Sequence, residues 1–76
     1  MTDITTLTEN EKRFLNLLEE ADKESIWGLA ISNVVKNPTV TTVRQLIYEL
    51  KSQANDCGQV MLSILGEPGY NQLMVL

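Results

Sequence analysis

Arg44, Gln45, Tyr48 and Lys51 are the residues of this chain best equipped for recognition chemistry. Arg44, Tyr48, Lys51 and Ser52 fall at i, i+4, i+7 and i+8, so a helix through them sets a guanidinium, a phenol and an ammonium on one side. Groups of this kind suit the DNA major groove. An arginine makes a bidentate contact to guanine, a glutamine or tyrosine reaches neighbouring base edges or phosphates, and a lysine neutralises phosphate. Lys36, a little upstream, supplies a further phosphate contact. An ordinary solvated helix face carries the same residue types, and both readings stand open at this point.

Other chemistries are weakly represented. The chain has no histidine, which removes the commonest general base together with the Ser–His and Cys–His nucleophile pairs. The single cysteine, Cys57, excludes an intramolecular disulfide and, without histidine, argues against a zinc cluster. It reads as a small semi-buried apolar residue. Carboxylates are plentiful but spaced as solvated helix faces, and there is no phosphate-binding loop. The expectation is no catalytic residue, no metal, no cofactor and no small-molecule substrate.

The elements that must position the Arg44 face begin with its own helix, expected over Thr41–Ala54. Val43, Leu46, Ile47, Leu50 and Ala54 share one buried stripe at i, i+3, i+4, i+7 and i+11. Upstream, Met1–Leu7 is a flexible N-terminus or one short strand through Ile4–Leu7, and residues 8–76 form one domain. Thr8-Glu9-Asn10-Glu11 reads as a capping box opening a first helix. Phe14, Leu17, Leu18 and Ala21 form its buried face, and Glu11, Arg13, Asn16 and Glu20 stay in water. Ser25 is expected to cap a second helix from Ile26 to about Val35, with Ile26, Leu29, Ala30 and Val34 inward and Asn37-Pro38 as its stop. Trp27 has two readings, a partly buried core position or an exposed anchor for a partner. After Asn55-Asp56-Cys57-Gly58, with Gly58 suited to a left-handed cap, residues 59–65 and 70–76 read as strands. Gly66-Glu67-Pro68-Gly69 is the turn between them.

The fold class expected is therefore α+β: three helices and a C-terminal β-hairpin, the order of a winged helix-turn-helix. Thr42-Val43-Arg44-Gln45-Leu46-Ile47-Tyr48-Glu49-Leu50-Lys51 resembles the recognition helix of OmpR/PhoB-type and ToxR-type effector domains, which run T-V-x-x-x-I-x-x-L-R/K. Leu7-Thr8-Glu9-Asn10-Glu11 is similar to that family's L-T-x-x-E opening, and Pro68-Gly69-Tyr70 with Leu73 to its wing signature. The resemblance covers roughly residues 7 to 75 and implies a winged helix acting in transcription. It departs from the family in lacking the sheet ahead of the first helix, the basic end of the recognition helix and the loop between second and third helices.

Charge weighs against strong DNA binding. The net charge is −4, with three basic against seven acidic residues in 1–35 and three against three in 36–76. Any basic surface is local to Lys36–Lys51, so a monomer is expected to bind DNA weakly, with a salt slope of about −2 to −3. Two functions follow. The first is a small transcriptional regulator binding DNA through Arg44, Gln45, Tyr48, Lys51 and Lys36. The second is an acidic adaptor or antagonist acting on a transcription factor or RNA polymerase, with Trp27, Tyr70 and Met74 as partner-binding residues. An exposed C-terminal strand would also permit a homodimer. No apolar run reaches membrane-spanning length and the N-terminus lacks signal-peptide features, so the expected location is the cytoplasm.

Overall fold

A computed structural model describes residues 6–76, and no strand occurs among the described residues. The elements are α1 (Glu9–Leu17), a single 3-10 turn (Leu18–Glu20), α2 (Gly28–Lys36), α3 (Val40–Asp56) and α4 (Gly58–Met74). Of the short strand considered at Ile4–Leu7, Ile4 and Thr5 lie outside this range, and Thr6 and Leu7 are not in a strand.

The start of α1 follows its sequence. The Thr8 hydroxyl accepts from the Glu11 N–H at 3.1 Å, and the Glu11 carboxylate accepts from the Thr8 N–H at 2.8 Å. This reciprocal pair satisfies two amides that the first turn leaves unbonded. Phe14, Leu18 and Ala21 are buried as expected.

The third helix is longer than its expected span and starts earlier. Thr39 is its cap, exchanging backbone–hydroxyl bonds of 3.0 and 3.1 Å with Thr42. The stripe Val43, Leu46, Ile47, Leu50 and Ala54 is buried, extended by Val40 at one end. Pro38 bars helical geometry before it, and α2 stops at Lys36.

Residues 59–76 correct the winged-helix expectation. They form a helix where a β-hairpin was expected, so the architecture is all-α and has no wing. Short apolar runs do not by themselves separate a buried strand from a buried helix. The buried residues fall at helical spacings on either side of Gly66: Met61, Ile64 and Leu65 at i, i+3 and i+4 before it, and Gly69 and Leu73 at i and i+4 after it. Leucine, methionine and glutamine, eight of the eighteen residues here, are also strong helix formers.

Gly66 divides α4 into two halves. Its φ of 77° and ψ of 165° lie in a region that is essentially restricted to glycine. Pro68 then sits in the first turn of the second half, where a missing N–H costs nothing. In an unbroken helix the Ile64 carbonyl would look to the nitrogen of residue 68, which as proline cannot donate. The Asp22 N–H donates to that carbonyl instead, at 2.8 Å, and ties the loop before α2 to α4. The second half folds back closely enough that a Cβ built on Gly58 would lie 3.1 Å from the Tyr70 hydroxyl. Gly58 therefore opens α4, and the left-handed glycine is Gly66.

These helices enclose one core whose largest fully buried side chains are Phe14, Leu18, Ile31, Val43, Leu50, Met61 and Leu73. Each helix contributes to it, and α3 touches α1, α2 and α4. No helix among the described residues is long and apolar enough to cross a membrane.

Two substitutions test this arrangement. Gly66→Ala forces a Cβ into the strained conformation and should destabilise the chain by roughly 1–3 kcal/mol, measured by urea unfolding. Leu50→Ala empties the centre of the α3 stripe and should cost about 2–5 kcal/mol in the same assay.

Candidate functional site

The loop from Asp22 to Trp27 sets the orientation of α2, and through it one wall of the candidate site. The Asp22 carboxylate accepts from the Glu24 N–H at 2.9 Å. The Ser25 hydroxyl donates to the Asp22 carbonyl at 3.0 Å and accepts from the Trp27 N–H at 3.3 Å. Ser25 thus winds the loop, and the helix proper begins at Gly28 with no side-chain cap. A Cβ on Gly28 would fall 1.8 Å from the Lys23 carbonyl oxygen, so only glycine permits this backbone approach.

This winding rotates α2 away from the expected face. Gly28, Ile31 and Val34 are buried, and Trp27, Ala30 and Val35 pack partly against the core. Ile26 and Leu29, expected inside, are 90% and 75% exposed. Apart from Ser32 and Asn33 the segment is apolar around its axis, and a short helix cannot bury every face. The stripe carrying Trp27, Ile31 and Val34 takes the interior. Trp27 is thus the partly buried core residue of the two readings, with its indole N–H enclosed and without an acceptor. Tyr70 likewise packs against the core, and Met74 is part-exposed on the last turn of α4.

On α3 the residues expected to contact DNA occupy one outward side but are largely engaged within the chain. Arg44 Nε donates to Glu11 Oε2 at 3.0 Å and its second guanidinium nitrogen to Oε1 at 3.3 Å. This fork bridges α3 to the first turn of α1. Glu11, expected in water, has only 15% of its side chain exposed, whereas that of Arg44 is 51% exposed. Hydrogen bonding to Arg44 is the main cause holding the Glu11 carboxyl below its ordinary value, aided by the Thr8 N–H and opposed by partial burial. The same bonds push the Arg44 guanidinium upward. Gln45 donates to the Glu49 carboxylate at 2.9 Å, and the Lys51 ammonium donates to the Leu76 carbonyl. Tyr48 is 75% exposed and lines a second open pocket, of about 340 Å³, with Lys51, Ser52 and Asn55. Lys36 stands apart, exposed at the end of α2.

Between α2 and α3 lies an open, mainly apolar groove of about 260 Å³, lined by Ala30, Val34, Thr41, Thr42, Gln45, Leu46 and Glu49. It is smaller than sites that enclose a typical ligand, which start at about 300 Å³. Of the expected site residues it includes Gln45 alone. Ile26, in the turn before α2, and Leu29, on its first turn, do not line it; they were not legible as surface, because their spacing fits an inward stripe equally well, and the glycine at position 28 was the one sequence sign of a close backbone approach there.

A scan against protein-family models gave no match, and neither the curated proteins nor the solved structures yielded one.

The Arg44–Glu11 pair sets a pH dependence. Because the folded-state pKa of Glu11 is depressed, the pair adds stability above the unfolded value near 4.5 and loses it as pH falls through the folded value. Glu11→Gln keeps an acceptor for the Thr8 N–H and removes the charge. It should lower the melting temperature modestly at neutral pH, with the deficit closing as pH drops below about 4.5 and shrinking in high salt.

Proposed function

We propose that this chain is a small cytoplasmic protein-binding regulator, working by docking on another protein rather than by reading DNA. The observation that carries this reading is the division of labour on its surface. The cationic side chains of α3 are held by partners within the chain, and two large aliphatic side chains of the α2 region face water. Arg44 would have to release Glu11 to reach a guanine, and the Glu11 carboxylate left behind would repel phosphate. The charge of −4 points the same way, since an acidic surface slows encounter with nucleic acid. A transcription factor or polymerase as the target is part of the proposal and has its basis in the sequence motifs alone.

Direct DNA contact through Tyr48, Lys51 and Lys36 is the second reading, favoured by the exposure of Tyr48 on the outward side of α3. The two separate cleanly. Affinity purification of the tagged chain after nuclease treatment should retain a protein partner in stoichiometric amount, and mobility-shift titration should show no DNA retardation at moderate salt. Retardation that is abolished by Lys51→Ala and Lys36→Ala, with nothing retained after nuclease, would reverse the assignment.

A further inference from the structure

We propose that Ile26, Leu29 and the adjoining α2–α3 groove dock a basic amphipathic helix of a partner protein. This rests on the protein-binding reading above and specifies its surface and the chemistry of its partner.

Single exposed aliphatic residues are common and need no explanation. The arrangement here is different. Ala30 and Val34 line the groove, and Ile26, in the turn closed by the Gly28 N–H on the Ser25 carbonyl, stands four residues ahead of Ala30. Ile26 and Leu29, 90% and 75% exposed, lie at the N-terminal approach to α2 outside the groove's own lining and supply the large apolar surface that the partner helix would cover beside it. A groove of about 260 Å³ accepts roughly one or two aliphatic side chains, in keeping with a helix that anchors itself at i and i+3 or i+4.

Charge selects the occupant. Glu19, Glu20, Asp22 and Glu24 precede Ile26 on the 3-10 turn and loop, and all four are exposed. The one basic residue among them, Lys23, donates its ammonium to the Glu19 carbonyl. From Ser25 to Val35 there is no charged side chain, and Glu49 sits on the opposite wall of the groove. Carboxylates thus stand ahead of the apolar surface and on the α3 wall of the groove, with Lys36 the exposed cation at the far end of α2. A second copy docking here about a two-fold axis would bring like acidic borders together, which is unfavourable. A partner helix carrying lysine or arginine beside its leucines matches both the apolar floor and the border.

The test uses the full chain, isotope-labelled for NMR, and a synthetic helix with leucine on one face and lysine on the other. A matched peptide with glutamate for lysine is the control. Shift changes should cluster at Ile26, Leu29, Ala30 and Gln45 with the lysine peptide and be absent with the glutamate peptide. Ile26→Ser combined with Leu29→Ser should weaken binding about tenfold or more. These side chains are exposed, so an unchanged far-ultraviolet spectrum and melt will show that the variant is folded. Glu20→Gln with Glu24→Gln, which touches no backbone contact of the loop, should weaken binding severalfold and reduce its salt dependence.

Equal binding of both peptides overturns the charge selection. Shift changes centred on Val60, Met74 and Val75 overturn the location, and concentration-dependent self-association through Leu29 overturns the choice of occupant. Failure of the lysine peptide, with a protein still captured by the wild-type chain and equally by the Ile26/Leu29 variant, removes this surface while the protein-binding reading stands. Failure of both removes both.

Discussion

The burial of one aliphatic stripe on α3 is the constraint on which the rest of this fold depends. Val43 and Leu50 are sealed from solvent, and α1, α2 and α4 each pack against their helix. At roughly 25 cal/mol for each Å² of apolar surface removed from water, such a stripe outweighs the surface electrostatics of a domain this small. Once it faces inward, the opposite side of α3 has no freedom of rotation. Arg44, Tyr48 and Lys51 are displayed as a consequence of packing, and what they then meet is decided by the neighbouring helices.

That neighbourhood explains why residue types alone mislead about function. Glu11 was legible as half of a capping box, and it is that. The same carboxylate also accepts the Arg44 fork, an interaction between residues far apart in sequence that no local pattern announces. The capping geometry fixes where the carboxylate stands and the arginine adds a second use for it. A side chain suited to guanine is thereby turned into a brace between α1 and α3.

Local rules were legible wherever one signal dominated. The Thr8 cap, the stop at Asn37-Pro38 and the buried side of α3 each follow from a single strong preference. The chain failed to declare itself where two solutions were equally periodic. Residues 59–65 satisfy both a buried strand and a helix, and Gly66-Glu67-Pro68-Gly69 serves as well to break a helix as to close a hairpin. In α2, apolar residues surround the axis, so the inward side is chosen by the whole fold, through the Gly28–Lys23 backbone contact and the bulk of Trp27. The surface proposed for docking is the remainder of that choice, which is why the sequence placed Ile26 and Leu29 in the interior.

The proline in α4 has an effect well outside its own helix. With the chain turned at Gly66 and no hydrogen on the Pro68 nitrogen, the Ile64 oxygen lacks the usual donor four residues on, and the amide of Asp22 occupies it. Asp22 is also the residue that winds the carboxylate-rich loop. The break in α4 therefore acts as an address for a distant segment, tying the loop to one oxygen of that helix. Rigid placement of this sort spares a partner the entropy of ordering a mobile segment before it can be gripped.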